Sequence, residues 1–210
     1  MFSDILDSLL ALRAIHLAPE GHPFVWASGW RAPLYCDNRR ILSSHEARQK
    51  VTSGLVELIA AHFQACEVVA AVATGAIPVG MLVADRLRLP FVYVRPKPKD
   101  HGMGNQVEGR LDAGAKVVVV EDLVSTGRSS LDAVKALESA GAQVLGMVAI
   151  FTYQFPQAQA NFEQAHVALH TLVTYPLLLR TLQQRGLLTA AQQATLAQWN
   201  EHPDTWGQEG

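Results

Sequence analysis

The sequence predicts an α/β fold, a parallel sheet flanked by helices, and three observations carry that expectation. Val117 to Val120 form an uninterrupted apolar β-branched run, as suits a strand covered on both faces in a parallel sheet. Other short apolar runs, Val68 to Ala73, Phe91 to Val94 and Val144 to Phe151, alternate along the chain with segments of helical spacing. With 210 residues, 49% of them hydrophobic and 17% charged, the chain can bury a sizeable core, enough for one large α/β domain with or without a small appendage.

Charge and cysteine content exclude several classes. A net charge of -2 gives no basic field for nucleic acid. Cys36 and Cys66 fit no zinc spacing and make no disulfide framework, so a reducing cytoplasm is the expected compartment. Asp4 and Asp7 in the opening stretch argue against a signal peptide, and no apolar run reaches the roughly 18 residues a membrane span needs.

Taken in order, Ser3 is expected to cap a first helix through Ile5, Leu6, Leu9, Leu10 and Leu12 to Ala14 or Ile15. FVWASGWRAPLYCDNRRILS, residues 24 to 43, reads as a β-hairpin with a glycine turn. Ser43 with Glu46 reads as a capping box for a helix to about Gln64, with Val51, Leu55, Leu58 and Ile59 on one face. His45 and His62 are expected on its exposed side. After Val68 to Ala73, the small-residue turn Thr74, Gly75, Ala76 is a place for a phosphate before a helix from Val79 to about Arg86. Gly75 and Gly80 have the glycine spacing of a P-loop, but Met81 stands where its lysine belongs, and GMGNQV lacks the third glycine of a dinucleotide fingerprint.

Beyond Phe91 to Val94, Pro96 and Pro98 hold Arg95 and Lys97 extended, so that Arg95, Lys97, Lys99 and His101 line one side of a loop continuing into Gly102, Gly104 and Gly109. This describes a lid that closes over an anion. The valine run then leads to Glu121 and Asp122, to Leu123 and Val124, and to Ser125, Thr126, Gly127, Arg128, Ser129 and Ser130 ahead of a helix patterned from Leu131 to Ala140 and stopped by Gly141. A helix start carries free N–H groups and positive dipole, which favour a phosphate, while two carboxylates at a strand end favour vicinal hydroxyls or a magnesium hydrate. A ribose phosphate has both ends. His166 and His170 are read as ordinary residues of a short strand, VALHTLV, and the tail from Pro176 to Trp199 as two helices separated by Gly186, the second capped by Thr189.

VVVVEDLVSTGRSS resembles the ribose-phosphate motif of the type I phosphoribosyltransferases, a hydrophobic run followed by two acids and a Ser/Thr/Gly loop. Residues 24 to 43 resemble the N-terminal signature of the orotate phosphoribosyltransferases, which forms a hood over the pyrimidine, and Arg95 with Lys99-Asp100-His101-Gly102 resembles their lid. The resemblance implies one domain over residues 1–210, with a hood formed by about residues 1–44 and C-terminal elements. It implies a magnesium-dependent pentosyltransferase that converts orotate and phosphoribosyl pyrophosphate to orotidine monophosphate and pyrophosphate in de novo pyrimidine biosynthesis, working as a homodimer whose lid serves the neighbouring subunit.

In that reading Lys99, His101 and Asp122 are catalytic. Arg95 and the stretch Glu121, Asp122, Leu123, Val124, Ser125, Thr126, Gly127, Arg128, Ser129 hold the ribose donor, Thr74, Gly75 and Ala76 meet its pyrophosphate, and Ser125, Ser28 and Gly29 meet orotate. Magnesium comes bound to the donor, near Glu121 and Asp122, with no direct protein ligand. Four positions depart from part of the family: Ala27 and Pro96 stand where some members carry a basic residue, and Thr152 and Tyr153 where some carry an Asp-Arg pair whose arginine meets the orotate carboxylate. A phosphoribosyltransferase for another base and a non-catalytic metabolite sensor are the rivals.

Overall fold

A computed structural model describes residues 2–26, 28–97 and 105–208. Its centre is a six-stranded sheet in the order β10 (Leu169–Thr174), β9 (Gln143–Thr152), β8 (Lys116–Val124), β5 (Val68–Val72), β6 (Phe91–Val94) and β7 (Val107–Glu108). All pairs are parallel except β6 with β7. The valine run is its middle. Val117, Val118, Val119 and Val120 are all fully buried, and they alternate between two apolar layers because successive strand side chains point to opposite faces. Val118 and Val120 join the layer of α2 (His45–His62) and α3 (Ile77–Leu87), whereas Val117 and Val119 join that of α4 (Arg128–Ser139) and α5 (Pro156–Gln164).

The ladder does not stop where the valines do. Glu121, Leu123 and Val124 still pair with Ala149, Phe151 and Thr152 of β9, so the acidic pair lies inside the strand rather than after it. The next helix starts earlier than its apolar pattern, at Arg128, because Gly127 at φ +77° turns the chain and places Arg128, Ser129 and Ser130 in the first helical turn.

The N-terminal segment builds two small antiparallel pairs, β1 (Ile15–Leu17) with β4 (Leu34–Cys36), and β2 (Phe24–Val25) with β3 (Arg31–Ala32). The second is the expected hairpin, closed by Gly29 at φ +86° with its N–H donating to the Trp26 carbonyl at 2.8 Å. The tail supports it. Trp199 of α7 (Ala190–Glu201) is fully buried, donates its indole N–H to the Arg31 carbonyl at 3.1 Å and meets the Trp26 ring edge-on at 5.7 Å.

Several local expectations need correction. Helix α1 (Phe2–Ala11) already contains Ser3, and Ile15 belongs to β1. The cap of α2 is Ser44, whose side chain accepts from the Ala47 N–H, because Ser43 ends a 3₁₀ helix over Asn38–Ser43 and donates to the Arg40 carbonyl. His45 is exposed as expected, and so is His62, which also stacks on His170 with centroids 3.7 Å apart. His166 precedes β10, which begins at Leu169. Helix α5 was not expected from the sequence, although Pro156 at its first turn is a start signal. The two tail helices, α6 (Tyr175–Gln184) and α7, are present, and Thr189 with Gln192 makes a reciprocal capping box. No described helix is long and apolar enough to cross a membrane.

Candidate active site

Strands β5 and β8 are neighbours in parallel, so the turns that leave them lie side by side at the carboxyl edge of the sheet, where open α/β sheets bind ligands. A cleft of about 490 Å³ opens there, a size suited to a small-molecule ligand. Thr74, Gly75 and Pro78 form one wall, Asp122, Leu123 and Ser125 a second, and Trp26, Tyr35, Cys36, Asp37, Asn38, Arg39, Leu42 and Tyr153 a third.

Gly75 and Asp122 touch. A Cβ added at Gly75 would stand 1.9 Å from Asp122 Oδ2, so only a residue without a side chain lets this turn and this carboxylate share the cleft. Ala76, fully buried, begins α3 behind them. On the other side of Asp122, the buried amide of Asn38 donates to its main-chain carbonyl at 2.7 Å, and Asn38 Oδ1 accepts from the Cys36 thiol at 3.1 Å. The Tyr153 hydroxyl accepts from the Cys36 N–H at 3.2 Å. Burial first, then Asp122 and Asp37, pushes the Cys36 thiol far up, and burial does the same to the Tyr153 hydroxyl. Both stay neutral and structural.

Glu121 is the deeper of the two acids, and its carboxyl still meets that of Asp122. It is 4% exposed, Oε2 accepts from the Ser130 hydroxyl and Oε1 from the Asp122 N–H, each at 2.9 Å. Burial, then the neighbouring Asp122, holds its carboxyl well above the usual carboxylate range. Ser130 is therefore committed to Glu121 instead of being a free hydroxyl in the turn. The two acids are not equivalent: Asp122 lines the cleft, and Glu121 lies beneath it with two bonds to protein and acceptor capacity to spare.

The start of α4 has no side-chain cap. Its first N–H groups, with those of Ser125 and Thr126, form an open, positively polarised turn fit for a phosphate. Arg128 and Ser129 are exposed there and Ser125 and Thr126 half-buried, while Val124 is fully buried and Leu123 half-buried. Packing fixes the turn from behind: a Cβ on Gly127 would meet Phe162 at 2.6 Å, and Asn161 donates to the Thr126 carbonyl at 2.9 Å.

The structure thus brings together Thr74, Gly75, Asp122, Leu123 and Ser125. It does not bring Ser28 and Gly29 into the same cleft, since Ser28 faces an adjoining cavity with Trp30, Thr126 and Arg128, and Gly29 is exposed at the hairpin tip. Arg95 leaves β6 with its N–H bonded to the Gln106 carbonyl and its guanidinium 3.7 Å from Glu108. Lys99 and His101, and Ala27, lie outside the described residues. Thr152 is buried, with its hydroxyl accepting from the Gln154 N–H at 3.1 Å. Tyr35, Asp37, Asn38, Arg39 and Asn161 were missed as site residues. The first four sit in one run, YCDNR, where β4 hands over to the 3₁₀ helix through Asp37, and which of its side chains face the cleft depends on that junction.

The donor set suits magnesium delivered by a phosphorylated substrate, because Mg²⁺ favours one or two carboxylates completed by water and phosphate oxygens, and Asp122 presents such a carboxylate at the cleft wall.

Residues 38–167 match the family model described as a phosphoribosyl transferase domain. The chain is 51% identical to an orotate phosphoribosyltransferase of Cytophaga hutchinsonii over 203 residues, 97% of each chain. It is 49% identical to one of Porphyromonas gingivalis, covering 97% of this chain and 96% of the other. The crystal structure of orotate phosphoribosyltransferase from Aeropyrum pernix is similar with a TM-score of 0.76 at 30% identity, over 88% of this chain and 99% of that one. With a family model matching residues 38–167 and relatives at this identity over nearly the whole length, the chain belongs to the orotate phosphoribosyltransferases.

Proposed function

We propose that the cleft binds phosphoribosyl pyrophosphate and orotate and transfers the ribose 5-phosphate unit to the pyrimidine, giving orotidine monophosphate and pyrophosphate for pyrimidine biosynthesis. One observation carries this reading: Asp122, the Gly75 turn and the uncapped start of α4 converge at the carboxyl ends of two adjacent parallel strands. The ring nitrogen of orotate, giving up its proton to solvent, attacks the anomeric carbon while the bond to pyrophosphate breaks and its electron pair leaves with the pyrophosphate, through a state with oxocarbenium character. Asp122 accepts from ribose hydroxyls, and Glu121 lends its remaining acceptor capacity from below. The N–H and hydroxyl groups of Ser125, Thr126, Gly127, Arg128 and Ser129 hold the 5-phosphate, with Leu123 and Val124 contributing main chain. Thr74, Gly75 and Ala76 receive the pyrophosphate.

Arg95, Lys99 and His101 neutralise the leaving group when the lid closes; a well-placed donor of this kind contributes about 3 to 4 kcal/mol to the transition state. Asp122 and Glu121 would lie near magnesium brought by the donor's phosphates, and the ion would supply charge neutralisation. The aromatic wall of Trp26, Tyr35 and Tyr153 receives the flat ring. The whole chain, 1–210, acts as one unit in which residues 1–44 and the tail form the hood, supported by the Trp199 to Arg31 bond. A lid shared between subunits makes a homodimer the working form, in the cytoplasm.

The test is the loss of orotate absorbance with magnesium and phosphoribosyl pyrophosphate, run beside a panel of purine bases. Consumption of orotate alone is expected; turnover of a purine with orotate untouched overturns the assignment.

A further inference from the structure

We propose that Arg39 is the residue that recognises the carboxylate of the pyrimidine substrate, and so sets specificity for a carboxylated ring. The inference rests on the reading that this cleft takes orotate, and it names the contact that distinguishes orotate from an uncharged pyrimidine.

Among the described residues that line the cleft, Asp37 and Asp122 are the two anions, and both repel an incoming carboxylate. Among the described residues that line it, Arg39 is the only cation. The other arginines around the hood are engaged elsewhere: Arg31 donates to the Gly207 carbonyl, Arg40 to those of Leu12 and Arg13, and Arg48 to that of Leu42. Arg95 faces Glu108, and Arg128 lines the adjoining cavity. The segment after β9 adds no charge, since the Tyr153 hydroxyl is held on the Cys36 N–H.

Arg39 also has the geometry. Its Nε donates to Asp37 Oδ1 at 2.6 Å and its Nη2 lies 3.5 Å from the Tyr35 hydroxyl, so two sides of the guanidinium are braced while the side chain remains 57% exposed. Of five N–H donors, most stay free along the outer edge, which matches a carboxylate in a two-point fork. The anchor is firm at both ends. Asp37 donates its N–H to the Ala14 carbonyl at 2.7 Å, and the residue between them, Asn38, is bonded to the Asp122 carbonyl. The guanidinium is thereby registered against Asp122, the group that positions the ribose. A flat ring among Trp26, Tyr35 and Tyr153 would present its carboxylate to the one arginine on that wall.

The experiment uses the full chain with R39Q and R39K. For R39Q we expect KM for orotate to rise about 10- to 100-fold, the loss of a charged hydrogen-bond pair, with KM for phosphoribosyl pyrophosphate within about 2-fold and partial recovery in R39K. As inhibitors of the forward reaction, orotidine monophosphate and uridine monophosphate differ only in the carboxylate, and the preference for the first should shrink by a similar factor. An unchanged preference, or a rise in KM for the ribose donor alone, overturns the inference while leaving the enzyme assignment standing. Failure of the unsubstituted chain to consume orotate overturns both. Thermal unfolding checks that R39Q folds; if it does not, R39K carries the same comparison.

Discussion

Asn38 and Asp122, 84 positions apart in sequence, are joined by a 2.7 Å bond from the Asn38 amide to the Asp122 carbonyl. It ties the 3₁₀ helix of the N-terminal segment to the strand that carries the cleft carboxylate. Asn38→Ala leaves that carbonyl unpaired in a part-buried setting and should cost about 1 to 3 kcal/mol of stability. Denaturant titration measures the loss, and kcat should fall with it because Asp122 loses its brace.

Gly75→Ala tests the close approach of turn and acid. With a Cβ only 1.9 Å from Asp122 Oδ2, the carboxylate or the turn must move. A displacement near 1 Å at the reacting groups costs on the order of 10²-fold in kcat. A variant with full turnover would show that the Gly75 backbone is not set against Asp122 during the reaction.

Glu121 makes stability depend on pH in a stated direction. Its carboxyl sits well above the usual 4.5 in the folded chain. Below that value both folded and unfolded chains carry the proton and the group has no effect on their difference with pH. As pH rises, the unfolded chain ionises first while the folded chain keeps its proton, so stability falls until the raised folded value is passed. Glu121→Gln removes this term. Urea midpoints from pH 4 upward should therefore decline more steeply for the unsubstituted chain than for the variant, and parallel curves would contradict the buried setting of Glu121.

Cys36 and Cys66 should differ toward a thiol reagent. Cys36 is 4% exposed, donates to Asn38, and is pushed up by burial and two nearby carboxylates, whereas Cys66 is half-buried and less perturbed. One thiol, Cys66, should react in the native chain, and the second only on unfolding. Fast native labelling of Cys36, read by peptide mass, would mean that the hood opens readily.

Lys99→Ala addresses the lid. If Lys99 meets charge that develops on the leaving pyrophosphate, kcat falls by orders of magnitude while orotate binding changes little. A fall in orotate affinity with kcat preserved would assign the lysine to substrate binding instead.

The valine strand, the glycine turns after β5 and β8, the two tail helices and the capping of α7 follow from local rules: β-branched runs, glycine turns and helix-start residues act over a few positions, and a single sequence displays them. Ends of elements were less legible. The β8 ladder continues through Glu121 and Asp122 because β9 offers paired backbone and Ser130 offers Glu121 a partner, neither of which is visible in the segment itself. What each acid does was decided by tertiary structure alone, since the two carboxyls meet each other and only packing says that Asp122 lines the cleft while Glu121 is buried against Ser130 of α4. The same holds for Arg39 and Asn38. Their types were plain in the sequence, but the side chains reach the cleft only because a 3₁₀ turn, anchored on Ala14 and Asp122, aims them there, and bonds between such distant positions arise from packing that no local pattern encodes.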